Sequence, residues 1–335
     1  MRRRFASPPR PPGGDADVSV IGNLTIDVIL RGIDEMPPWG HEALATSRSE
    51  TVAGQAAAMA FALAALGVRV DIVASVGEDD AGARFRRELS DARVGVASLD
   101  VVAGGTTPLS VAVVRGDGER AFISDLGSLG PFDIEAAMER RPAIGDAGVV
   151  ALVGTSNLAG IDLAAAARVL ATARSRGALT VFDSGWDPDG FSPSSAAALR
   201  AVIAETDLYV PNLDEARALT GHEDVTDVVN AIESWCPGVV IVKAGDAGSY
   251  VKSEGAVTLV HAVPTVVDNA VGAGDVYDAG VVAGYLRGRD VLASMALGTA
   301  AASLYVSRRH DRFPNFDEVD TVAATVTTSA EPGSS

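Results

Sequence analysis

A chain of 335 residues with 47% hydrophobic side chains can bury a sizeable core, which excludes a wholly disordered or fibrous protein. Its 27 Lys and Arg stand against 44 Asp and Glu, and the net charge of −17 repels nucleic acid and anionic membrane where no basic patch intervenes. A single cysteine, Cys236, rules out an intrachain disulfide or a multi-cysteine zinc site and suits a reducing cytoplasm.

Residues 1–17 place Arg2, Arg3, Arg4 and Arg10 among prolines without the apolar stretch of about 7–15 residues that a secretory signal needs, so a disordered tail is expected. A first strand follows at Val18–Gly22. The apolar run Ala56–Leu66 is far shorter than the ~20 residues that span a bilayer and reads as a buried helix. Further strands are expected at Val70–Gly77, Val149–Gly154, Ala178–Asp183, Leu208–Asn212 and Gly238–Gly245, with helices such as Ile161–Arg176 and Asp290–Val306 between them. Alternation of apolar strands with helices calls for a mainly parallel sheet covered on both faces. Two segments break the rhythm, residues 25–49 and 106–124, the second with an Asp117-Gly118 hairpin signal; they are expected to form a small extra sheet. From about Thr325 to residue 335, Thr, Ser, Gly and Pro indicate another disordered tail.

Val266–Gly288 is the most informative stretch: an apolar strand is expected to end in a glycine-rich turn that enters a helix directly. Gly272 and Gly274 let backbone amides approach an anion, and the helix N-terminus adds its positive end. Asp275 stands at the helix start, placed to take a proton from an attacking hydroxyl; an ordinary acidic N-cap gives the same pattern. In VPNLDEARALTG, Asn212 and Glu215 have capping-box spacing. VVIVKAGDAGSYV reads as a strand, a turn with Gly245 and Gly248, and a second strand. Asp27 lies five residues beyond Gly22, where a carboxylate can accept from vicinal hydroxyls or simply sit in an exposed turn.

GAGD before an alanine- and glycine-rich helix resembles the C-terminal signature of the ribokinase-like (PfkB) carbohydrate kinases, and the order of the weaker motifs from about Val18 to Asp317 is similar too. The resemblance implies a three-layer α/β/α fold over residues 18–324 with a small β lid, ATP and Mg²⁺ as cofactors, and a sugar or nucleoside-like acceptor. Asp275 is then the base, and Gly272, Ala273 and Gly274 supply the anion hole. Lys243, Ala244, Gly245, Gly248 and Asn212 belong to the nucleotide side. Asn212 and Glu215 act around magnesium, largely through water, and Asp27, Gly54 and Gln55 bind the acceptor. It also implies a homodimer paired through the lid.

The chain departs from the pattern at several points. Asp268, Asn269, Ala270 and Val271 stand where DTx precedes GAGD. Ala58 stands where the family has a sugar-binding Asn, and the DxNxR-like run becomes Asp183, Ser184, Gly185, Trp186 and Asp187. A changed acceptor is therefore expected, read by a less polar pocket that Gln55, Met59, Trp39 and Trp186 are candidates to line. The competing readings are a non-catalytic sugar- or nucleotide-binding protein on the same scaffold and a nicotinamide-dependent oxidoreductase. Against the latter, Tyr277 occupies the third glycine's place of GxGxxG. No GxxxxGK[ST] run exists, which removes a P-loop kinase.

Overall fold

The structure, a computed structural model, describes residues 16–117, 119–127, 133–141, 144, 146–158, 161–267, 270–308 and 312–331. In chain order the strands are β1 (Val18–Gly22), β2 (Thr25–Arg31), β3 (Ser47–Ala53), β4 (Val70–Gly77), β5 (Leu99–Val102), β6 (Leu109–Val114), β7 (Arg120–Asp125), β8 (Val149–Val153), β9 (Leu179–Asp183), β10 (Leu208–Tyr209), β11 (Val239–Lys243), β12 (Gly248–Ser253), β13 (Ala256–His261) and β14 (Thr328–Ala330). The helices are α1 (Gln55–Ala65), α2 (Asp80–Asp91), α3 (Ile134–Arg140), α4 (Leu163–Ser175), α5 (Pro193–Ile203), α6 (Leu213–Thr220), α7 (Val225–Glu233), α8 (Ala273–Leu286), α9 (Val291–Val306) and α10 (Phe316–Ala323).

The large sheet has the order β14-β13-β12-β11-β10-β9-β8-β1-β4-β5. It is parallel from β11 to β5 and antiparallel from β11 to β14. Because successive strand residues point to opposite faces, β8 sends Val149, Ala151 and Val153 into one core and Val150 and Leu152 into another. The first core is closed by α1, α8 and α9 and the second by α4, α5 and α7. These are the three layers that the unbroken apolar strands require.

α8 and α9 carry apolar residues around most of their circumference, as helices buried on most sides do, with Asp275 and Asp278 the charged exceptions on α8. They touch through glycines: a Cβ on Gly280 would stand 2.7 Å from the Gly298 Cα. Gly280→Ala is therefore expected to destabilise the fold by ~1–3 kcal/mol through overpacking, despite alanine's better helix propensity, as a shift in urea midpoint will show.

The small sheet, ordered β3-β2-β6-β7, is tethered to β1 through Asn23 and Leu24 and feeds α1 directly from β3. It stands over the crevice where the chain leaves β1 for β4 on one side and returns at β8 on the other, the kind of switch point at which open α/β sheets bind ligands.

Several expectations need correction. The C-terminal segment is not a loose end as far as the structure describes it: Thr328, Ser329 and Ala330 pair with Val260, Leu259 and Thr258, because β13 would otherwise be an open edge. Asp17, expected in the N-terminal tail, forms an ion pair with Arg69 at 2.7 Å, while residues 1–15 lie outside the described residues. The hairpin expected at Asp117-Gly118 exists as β6 and β7, although Gly118 itself lies outside the described residues. No strand precedes the glycine turn; β13 ends at His261, residues 262–267 are irregular, and Asp268 and Asn269 lie outside the described residues.

Candidate active site

Of the ten helices among the described residues, eight begin at an Asp, Asn or Ser whose side chain accepts from a first-turn amide. The two without such a cap are α1 and α8, which begin at Gly54 and Gly272. Both glycines line the same cleft, of about 1290 Å³, beneath the small sheet. Gly272 has φ 81°, a left-handed conformation that costs glycine little, and it turns the chain so that the first amides of α8 face the cleft. The Ala273 amide donates to the Ala270 carbonyl at 3.2 Å, so it is not free for a ligand as expected. Among the described residues the Gly272, Gly274 and Asp275 amides find no acceptor, which leaves them to an anion together with the positive end of a 14-residue helix.

Asp275 is only 8% exposed, and what it exposes faces this cleft. Burial pushes its carboxyl up to about 8, helped by the negative charge of Asp183 and opposed by Lys243 and a hydrogen bond from the Gln55 side chain. Gln55, expected to bind acceptor, thus touches Asp275 itself. It sits beside Gly185, and its backbone amide donates to Asn23 Oδ1 at 3.2 Å.

Lys243, expected to meet the nucleotide, is committed elsewhere. Its Nζ lies 2.8 Å from Asp183 Oδ2 and 3.2 Å from both Asp278 oxygens, and a Cβ on Gly274 would stand 3.3 Å from it. The ammonium is therefore a buried support beneath the uncapped amides. Burial alone would lower its pKa, but Asp183 and Asp278 outweigh that and raise it, keeping Lys243 charged. The Asp278 carboxyl is held well above the usual range by burial and by Asp183, against the pull of Lys243.

Asn212 and Glu215 form the capping box their spacing predicts: Glu215 N donates to Asn212 Oδ1 at 2.8 Å, and Asn212 N donates to Glu215 Oε2 at 3.0 Å. Burial, then Asp183, pushes Glu215 up to about 7. A bridge between Asn212 and Lys243 brings this helix start beside the cluster. Ala244, Gly245 and Gly248 form the turn from β11 into β12, with the Ala244 amide donating to the Gly248 carbonyl at 2.8 Å. Among the described residues the cleft lining does not reach this turn.

On the opposite wall, Thr25, Asp27 and Ile29 alternate along β2 and all face the cleft. Burial pushes the Asp27 carboxyl up to about 6, with a hydrogen bond from Thr25 opposing, and among the described residues its Oδ1 has no partner. A buried carboxylate oxygen without a donor invites a ligand that brings one. Of the other candidates for the acceptor wall, Trp186 lines the cleft, Met59 is wholly within the core, and Trp39 is fully exposed away from it. Asp187 accepts from Phe191 N, Asp189 N and Ser195 Oγ and so braces its own loop. Asn23, Asp278 and Tyr305 escaped the sequence reading, and Asp183 was read only as the start of an altered run; Asp278 alone of the three gave a signal, three residues past Asp275 on the same helical face.

A sheet-end crevice, uncapped helix amides and a buried carboxylate beside them are the features a phosphotransferase requires. The description "pfkB family carbohydrate kinase" matches residues 15–317, and the chain belongs to that family, whose enzymes phosphorylate sugar-like substrates from ATP. It is 31% identical over 306 residues to an ATP-dependent ribose-1-phosphate kinase of Halopiger xanaduensis, covering 90% of this chain and 95% of the relative. It is 29% identical over 293 residues to a nucleoside kinase of Methanothermobacter thermautotrophicus, covering 87% and 90%. Among solved structures, a ribokinase of Arabidopsis thaliana complexed with ribose and ATP matches with TM-score 0.78 at 22% identity, covering 92% of this chain and 98% of that one, a likeness of fold.

Proposed function

We propose that the enzyme transfers the γ-phosphoryl group of MgATP to an alcohol of a pentose-bearing acceptor, a sugar or a nucleoside, with Asp275 as base. The observation that carries this reading is the convergence in one cleft of Asp275, the uncapped start of α8 and the partnerless Asp27 oxygen. The acceptor lies between Asp27 and Asp275; its hydroxyl gives a proton to Asp275 as it attacks, and the Gly272 and Gly274 amides stabilise the charge on the moving group. The small sheet over the cleft excludes water and limits wasteful hydrolysis. Its exposed Ile123 and Leu126 suit pairing with a second copy of the chain.

Magnesium fits Glu215 in one way. Oε2 is taken by the capping box, while Oε1 remains to accept from a water on an ion held mainly by phosphates, and no described cluster of three acidic or His/Cys side chains offers direct ligation. The ion would neutralise phosphate charge; the protein's part is to hold its water.

Turnover of MgATP with D-ribose, ribose 1-phosphate, adenosine and cytidine, followed by product mass, tests the reading, and no phosphorylated product from any of them defeats it. The pH dependence is a sharper signature. Only ionised Asp275 accepts a proton, so kcat/KM for the acceptor should rise with pH along a limb centred near 8. A limb near the ordinary carboxylate value of about 4 would show a solvated base and contradict the buried site.

A further inference from the structure

Tyr305 belongs to no motif discussed so far, yet its side chain lines the cleft with Asp27, Gln55, Ala58, Gly272 and Asp275. A Cβ on Gly272 would lie 3.3 Å from the Tyr305 hydroxyl and 3.6 Å from the Ala58 Cβ, so the phenol reaches the mouth of α8 over the short side chain of Ala58. The ring is fixed: it stacks on Phe313 with centroids 5.1 Å apart, and Phe313 stacks on Phe61 at 5.7 Å. Tyr305 is 6% exposed, and no hydrogen bond within the described residues contributes to its environment. A phenol buried to this degree ordinarily finds one. Burial, followed by the charges of Asp275 and Asp27, pushes it up to about 12, so it stays a neutral donor.

We propose that Tyr305 is an acceptor-binding residue, whose phenol donates to an acceptor hydroxyl that in turn donates to Asp27 Oδ1. One hydroxyl thereby serves both groups: it accepts from the phenol and gives its proton to Asp27 Oδ1, which has no partner among the described residues. The neighbouring hydroxyl is then presented to Asp275. A site that reads a hydroxyl from both sides rejects an analogue lacking it, because both protein groups are left unpaired.

This inference rests on the phosphotransfer reading above, and the test separates the two. Tyr305→Phe keeps the stacked ring and should melt like wild type. With the best of D-ribose, ribose 1-phosphate, adenosine and cytidine as acceptor, it should raise the acceptor KM by about 5- to 50-fold, the loss of one hydrogen bond to a well-held hydroxyl, while the MgATP KM stays unchanged. With the matching 2- or 3-deoxy acceptor, the two proteins should differ by less than about 2-fold, because the hydroxyl that Tyr305 reads is gone. If wild type is active and Tyr305→Phe shows an unchanged acceptor KM, or an equal loss on every deoxy acceptor, the role of Tyr305 is overturned and the kinase reading stands. If wild type phosphorylates none of the four acceptors, both fall together.

Discussion

Asp275→Asn is expected to lower kcat by about 10²–10⁴-fold with any acceptor that wild type phosphorylates, the range lost when a positioned base is removed. The substitution keeps the size of the side chain, so the uncapped amides and the cleft stay in place. MgATP affinity should accordingly be retained, and the loss should appear in kcat. The folded protein holds the carboxyl near 8, whereas an unfolded Asp titrates near 3.8. Between those values the folded state binds the extra proton, so wild-type stability falls as pH rises through that window. The neutral amide abolishes that slope, and the variant should be no less stable than wild type above pH 8. Steady-state kinetics with thermal melts at matched pH measure both effects. Equal turnover in the two proteins would remove Asp275 from the reaction.

The second large effect concerns stability. Lys243→Met should destabilise the protein by ~3–5 kcal/mol, because it leaves Asp183 and Asp278 buried with no opposing charge. Both carboxylates are almost inaccessible, at 4% and 0% side-chain exposure, so water cannot replace the ammonium. The sign of the pH dependence follows from this. Without Lys243 the folded-state pKa of Asp278, already raised by burial, rises further above its unfolded value, so the variant should recover stability as pH falls. Urea titrations of both proteins at neutral and mildly acidic pH will show whether the gap narrows. A gap below about 1 kcal/mol at neutral pH would mean that the cluster is better hydrated than its burial implies.

These two residues mark how far the sequence could be read. Asp275 was legible because base, glycine turn and helix are contiguous, and local chemistry places them in one turn. Asn212 and Glu215 were legible for the same reason, as a capping box within four residues. Lys243 was visible only as a residue beside a turn. Nothing in its neighbourhood says that its ammonium passes under α8 to Asp278, 35 residues away, and to Asp183, 60 residues away. Ala273 shows the converse: its position in the motif was clear, but which amides of the turn stay free depends on a carbonyl three residues upstream.

The amino-acid sequence alone determined the layered α/β class, the parallel strands covered on both faces, the small second sheet and the glycine turn with its acid. Each of these follows from periodicity or from contacts between near neighbours in the chain. Tertiary structure alone decided that Asp27 and Asp275 line one cleft, that Gln55 bonds Asp275, that β14 closes a sheet edge and that Tyr305 reaches the mouth of α8. Those juxtapositions join residues tens to hundreds of positions apart, and they are fixed by strand order and helix packing, about which a linear pattern of side chains carries no distance.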